Sequence, residues 1–232
     1  MVNCLKTGIL NLMSPASFTC RSVICLMGVL MSTSSFAQAS RADLSKAMDR
    51  QDWDTALTLS QQLSGPDLES VVAPAAQHGS VPAMWLMGQA RHLIGDTQGA
   101  ADWLYSALLG TRLDVAVCRD RRAAGVTSYW VQGLREAVMA ARMDAGVRAH
   151  AVHAAAERFQ GSPRDPMAGW TCRWAAQHAL IRPGKDNLLL MDGSQWKNAQ
   201  ARALGAFYKE AGITANSLNT SASSFQHADL LP

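Results

Sequence analysis

From residue 42 to residue 211, apolar residues recur at helical spacing, and glycine or proline interrupts them at short intervals. That punctuation predicts a chain of short helices joined by tight turns. The segments read as Ala42–Arg50, Trp53–Leu63, Asp67–His78, Pro82–Ile94, Thr97–Leu109, Thr111–Ala124, Thr127–Met143, Ala145–Gln160, Pro166–Ile181 and Gln195–Ala211. Asp52 is the expected N-cap of the second segment, and Gly65-Pro66 its terminator. Asp67 is the expected cap of the third, with Pro74 inside it as a candidate kink. Gly79, Gly95, Gly110 and Gly125 are read as stops. Leu113, Val115 and Val117 alternate, so a short strand is the competing reading there. Gly161–Pro166 is a two-proline loop, and residues 213–232, rich in Ser, Thr and Asn, are expected to be disordered.

Composition supports an all-α fold. Hydrophobic residues make up 48% of the 232 and charged residues 17%, with Ala and Leu plentiful. A β-sandwich would use more Val, Ile, Thr and Tyr. All seven tryptophans lie beyond residue 50.

The first 39 residues read as a secretory leader. Arg21 precedes an apolar run, Val-Ile-Cys-Leu-Met-Gly-Val-Leu at 23–30, and Ala37-Gln38-Ala39 before Ser40 supplies a small-residue cleavage site. Cleavage is expected after Ala39. The run is far short of the roughly 20 residues a membrane span needs. The competing reading is a buried N-terminal helix. The n-region is long, and a start at Met13 would give a more typical leader. Ser22-Val23-Ile24-Cys25 matches a lipidation site poorly, because no small residue precedes the Cys.

Two properties follow from removing that leader. It carries Lys6 and Arg21 and no acid, so 19 basic residues remain against 18 acidic. A chain this close to neutral lacks the basic footprint that nucleic-acid binding requires. Cys118 and Cys172 are then the only cysteines left. In an oxidising compartment they are expected to pair, closing a loop whose chain entropy is worth about 4 kcal/mol. Two buried thiols are the alternative. Neither cysteine has a partner at metal-ligand spacing.

One stretch has internal regularity. Ala75-Ala76-Gln77-His78-Gly79 is followed 31 residues later by Ser106-Ala107-Leu108-Leu109-Gly110. Between them stand Ala83-Met84-Trp85-Leu86-Met87-Gly88-Gln89-Ala90, then Gly95-Asp96, then Ala100-Ala101-Asp102-Trp103-Leu104. Gly88 is small enough for one helix backbone to meet a second, and Ala100 and Ala107 lie two turns apart on one face. The segment resembles a Sel1-like or tetratricopeptide repeat, clearly over 75–110 and more weakly over 45–125. Arg91 stands where that family usually carries an aromatic residue.

The resemblance implies antiparallel helix pairs stacked as a short α-solenoid over 40–125. Residues 126–212 would be degenerate repeats or a capping bundle. It also implies a surface that binds a protein or peptide, with Trp85, Gln89 and His92 at the groove-facing positions. The plainer reading of Trp85 is a core residue.

Three clusters carry candidate chemistry. His150, His153 and Glu157 share a helix face, but lack the spacing of a zinc helix or a di-metal bundle, so a solvated polar face is expected. Ser194-Gln195-Trp196-Lys197 matches the S-x-x-K motif of penicillin-recognising enzymes. The mature chain has no S-D-N, and the only K-T-G of the sequence, Lys6-Thr7-Gly8, lies in the leader, so Ser194 is read as a helix cap. Arg119, Arg121 and Arg122 surround Asp120 as a locally paired charged face. No metal or cofactor is expected. The sequence therefore points to an exported, non-enzymatic interaction module, periplasmic or secreted, accessory to an envelope or secretion system. A periplasmic hydrolase using Ser194 or His153, and a small-ligand or metal-binding helical protein, are the alternatives.

Overall fold

The computed structural model describes residues 41–159, 169–181 and 189–211. The leader with its cleavage residues Ala37, Ala39 and Ser40, the loop at 161–166 and the tail at 213–232 lie outside them. The described residues are all-helical. Helix α1 covers 41–49. It is followed by α2 (Trp53–Ser60), α3 (Gly65–Gln77), α4 (Val81–Leu93) and α5 (Thr97–Ala116). A 3-10 turn (Arg121–Ala124) leads to α6 (Gly125–Gly133), α7 (Arg135–Met143), α8 (Ala145–Arg158), α9 (Gly169–Gln177) and α10 (Gly193–Ala211).

Some punctuation acts as expected. The Asp52 carboxylate accepts the Thr55 amide and caps α2. Gly79 and Gly95 take φ of 90° and 82°, a left-handed turn that ends α3 and α4 at little steric cost. Elsewhere the punctuation misleads. Gly65-Pro66 opens α3 instead of closing α2, because Pro in a first turn gives up an N–H that has no helical partner anyway. Ser64, not Asp67, is the N-cap, accepting the Asp67 amide. Gly110 does not end a helix: it is buried inside α5, a continuous rod of about 30 Å. The expected helix Thr127–Met143 is broken at Leu134, whose φ of −112° and ψ of 32° separate α6 from α7. Val117–Arg119 pairs with Leu189–Met191 around one antiparallel bridge, Cys118 to Leu190, which is the extent of the competing strand.

Helices α3, α4 and α5 run antiparallel in succession. The start of α3 meets the end of α4, where Glu69 Oε1 pairs with Arg91 Nη2 at 2.6 Å. The middle of α4 meets the middle of α5: a Cβ on Gly88 would lie 2.5 Å from Leu104 Cγ and 3.3 Å from the Ala100 carbonyl. Ala100 and Ala107 are both buried. Nine residues of α4 are buried, so it is apolar almost all round. Helix α5 also packs against α7, α8, α9 and α10. One core runs from Leu44 to Ile181, and Leu109, Leu113, Val152, Ala155 and Phe207 form a smaller one joining α5, α8 and α10.

The aromatic centre of the large core is Trp85, Trp130 and Trp170. Trp85 stacks on Trp130 at 6.2 Å, and Trp170 meets Trp130 edge-on at 6.4 Å. Two of these indoles donate to α5: Trp85 Nε1 to Thr111 Oγ1 at 3.0 Å, and Trp170 Nε1 to Asp114 Oδ2 at 2.7 Å. The Cys118–Cys172 disulfide locks the same contact one turn further on.

Replacing Gly88 by Val should destabilise the fold by about 2 kcal/mol through overpacking against Leu104. Gly205, with open space around its missing Cβ, should gain about 0.5–1 kcal/mol when replaced by Ala. Urea unfolding of the two variants checks the pair; equal midpoints would contradict the α4–α5 contact.

Candidate functional site

Helix α4 emerges from the core only at its last turn, and that turn lines a cavity of about 440 Å³. Gln89 and His92 face it from α4, Gln61 from the end of α2, and Gln132 to Glu136 from the α6–α7 junction. The break at Leu134 separates Gln132, on the last turn of α6, from Arg135 and Glu136, on the first turn of α7. Leu134 itself is buried beneath them. Gln61 Nε2 reaches the Gly133 carbonyl at 3.5 Å across the cavity's edge. A Cβ on Gly133 would lie 2.6 Å from Leu57 Cδ2, so glycine permits α6 to approach α2 there.

The amide of Gln89 is held in place. The buried Ser60 hydroxyl lies 2.9 Å from its Oε1 and 2.7 Å from the Leu57 carbonyl. One end of the amide is thus fixed by the scaffold while the side chain lines the cavity. Three glutamines, one imidazole, one guanidinium and one carboxylate give a wall able to donate and accept hydrogen bonds in comparable measure. Leu93, 49% exposed, adds an apolar edge. This chemistry suits the alternating N–H and C=O groups of a polypeptide backbone.

Of the three residues expected to face a groove, the structure brings Gln89 and His92 together and places Trp85 elsewhere. Trp85 is 1% exposed, with its indole N–H satisfied by Thr111 and its ring stacked on Trp130. It belongs to the core because α4 is covered by α3 on one side and α5 on the other.

The other candidates form separate, local arrangements. His150 Nδ1 lies 3.1 Å from Asp102 Oδ1, with Gln98 Nε2 also in reach, while Glu157 is exposed. Among the described residues no group of three His, Cys, Asp or Glu side chains could hold a metal ion. Ser194 is not the cap of α10: its backbone amide donates to Asp192 Oδ1 at 2.8 Å. A hydrogen bond from the Ser194 side chain, and then that amide, hold the Asp192 carboxyl below its ordinary range. Ser194 and His153 share no hydrogen bond among the described residues. Arg122 pairs with Asp120 through both carboxylate oxygens, and Arg119 Nε donates to the Leu190 carbonyl.

Sequence reasoning missed a cluster between α2, α6 and α9. Asp54 Oδ1 accepts the Trp174 indole N–H at 3.1 Å, and Asp54 Oδ2 lies 2.9 Å from His178 Nε2. His178 Nδ1 lies 2.9 Å from the Trp174 carbonyl, and its ring stacks on Trp174 at 3.9 Å. Both imidazole nitrogens are occupied, so the arrangement tethers α9 to α2 and offers no open base. Tyr129 completes it, 4.7 Å from Trp174. Burial, and then a hydrogen bond to the Asp54 carboxylate, push the Tyr129 hydroxyl up to about 12. Asp54 and Trp174 stand 120 positions apart, so no local spacing could reveal the cluster.

A tyrosine raised from about 10 to about 12 stabilises the fold fully below pH 10 and loses that contribution as pH rises through 12. Urea midpoints measured from pH 9 to pH 11.5 should therefore fall more steeply for the native chain than for Tyr129→Phe. Parallel slopes would show that Tyr129 is not coupled to folding.

Compared with known proteins, the chain matches no family model, no curated protein and no solved structure.

Proposed function

We propose that this chain is an exported, non-enzymatic interaction protein that binds an extended peptide segment of a partner in the α4 groove. The observation that carries the reading is the Gln89 amide fixed by Ser60 beside His92, in a cavity whose other polar walls are Gln61, Gln132, Arg135 and Glu136. A pre-set amide spends little conformational entropy on binding, which favours recognition of backbone groups. Trp85, buried in the core, takes no part in that contact.

Export is supported by the leader-like first 39 residues and by the Cys118–Cys172 bridge, which suits the periplasm or the extracellular space. No helix among the described residues is long and apolar enough to cross a membrane. The antiparallel α3–α4–α5 succession supports kinship with Sel1-like or tetratricopeptide pairs. In this reading the helices after 125 are a degenerate cap. The partner would belong to an envelope or secretion system, in which modules of this kind act as accessories.

Peptides selected against the chain from a random display library, and labelled for fluorescence anisotropy, test the groove. The Gln89→Ala/His92→Ala double variant should weaken the selected peptides by at least about tenfold, the loss expected from one or two good hydrogen bonds. Peptides that bind equally well to the double variant would remove the groove from the account.

A further inference from the structure

A second cavity, of about 550 Å³, opens between α5 and α10 beside the disulfide. Its walls are Val115 and Ala116 from α5, Met191, and Ala199, Ala203 and Ala206 from α10. The three alanines recur at i, i+4 and i+7, so one face of α10 is cut back where larger apolar residues would close the space. Phe207, buried in the smaller core, holds α10 in place next to that gap. Thr127 is the one uncharged polar side chain on the wall. A polar metabolite would lose its water there without replacement hydrogen bonds.

The rim is cationic. Arg112, Arg121 and Arg202 surround the cavity with Glu210 as the one carboxylate. Glu210 is already committed: its Oε2 pairs with Arg112 at 2.7 Å, and Arg112 lies over the Phe207 ring. Among the described residues, Arg121 and Arg202 meet no carboxylate. Two uncompensated guanidiniums therefore border an apolar chamber whose size is typical of small-molecule sites. The contrast with a mature chain of nearly balanced charge makes this local excess specific to the cavity.

We infer that this cavity binds a free, single-chain anionic amphiphile of fatty-acid type. Its tail would lie against the alanine face of α10 and its carboxylate between Arg121 and Arg202. The inference does not depend on the peptide groove, with which this cavity shares no lining residue.

Isothermal titration of the full chain with sodium dodecanoate, kept below its critical micelle concentration, should give saturable one-to-one binding. Arg121→Ser/Arg202→Ser, which alters only exposed side chains, should weaken binding at least about tenfold, as should the cavity-filling Ala203→Phe. Circular dichroism of each variant verifies that the fold is kept, and the arginine variant alone decides the matter if Ala203→Phe unfolds. Dodecanol should bind far more weakly. The inference is overturned if dodecanoate fails to saturate, if dodecanol binds equally well, or if the arginine variant keeps its affinity. It is overturned too if the chain ignores dodecanoate and binds instead to phosphatidylglycerol vesicles or to an acidic peptide.

Discussion

Two indole N–H groups donating into one face of α5 hold this molecule together. Thr111 and Asp114 lie three residues apart on that helix, so both acceptors face the same way, and each receives a tryptophan from a different helix: Trp85 from α4 and Trp170 from α9. A buried indole without a partner costs about 1–3 kcal/mol, which restricts the rotation of α4 and α9 about their axes. Trp130 fills the space between the two rings and brings α6 with it. The disulfide then fastens the end of α5 to α9.

Both surface features follow from that centre. Because α4 is rotated to bury Trp85, only its last turn reaches solvent, and Gln89 and His92 become its contribution to a groove. Because α5 continues through Gly110 to Ala116, its last turns provide Arg112, Val115 and Ala116 as one wall of a separate chamber. The continuity of α5 is thus the condition for having two sites instead of one.

The legible and illegible parts of the sequence divide along physical lines. Turns that demand a left-handed backbone, at Gly79 and Gly95, could be read directly, as could the Asp52 cap and the pairing of the two cysteines. Gly65, Gly110 and Gly125 misled because their role is in tertiary contact or within a helix: a glycine in a buried helix is tolerated when packing compensates its propensity. The break at Leu134 directly follows Gly133, a breaker signal that the apolar periodicity of 127–143 overrode in a reading from sequence, so the α6–α7 junction that completes the groove was missed. The resemblance implies a groove position for Trp85, but the plainer reading, a core residue on a nearly uniformly apolar helix, is the one the structure shows. The Asp54–Trp174–His178 cluster depends on contacts 120 residues apart, and no periodicity reports those.

Native-state hydrogen exchange of the free chain tests the central claim most directly. If the indole contacts to α5 form the last structure to open, amides of Met84–Ala90 and Leu104–Asp114 should exchange only through global unfolding. Those of α10, attached chiefly through Phe207 and the Arg112–Glu210 pair, should exchange through a smaller, earlier opening. Exchange of the α4 and α5 amides through openings that leave α10 protected would contradict the account.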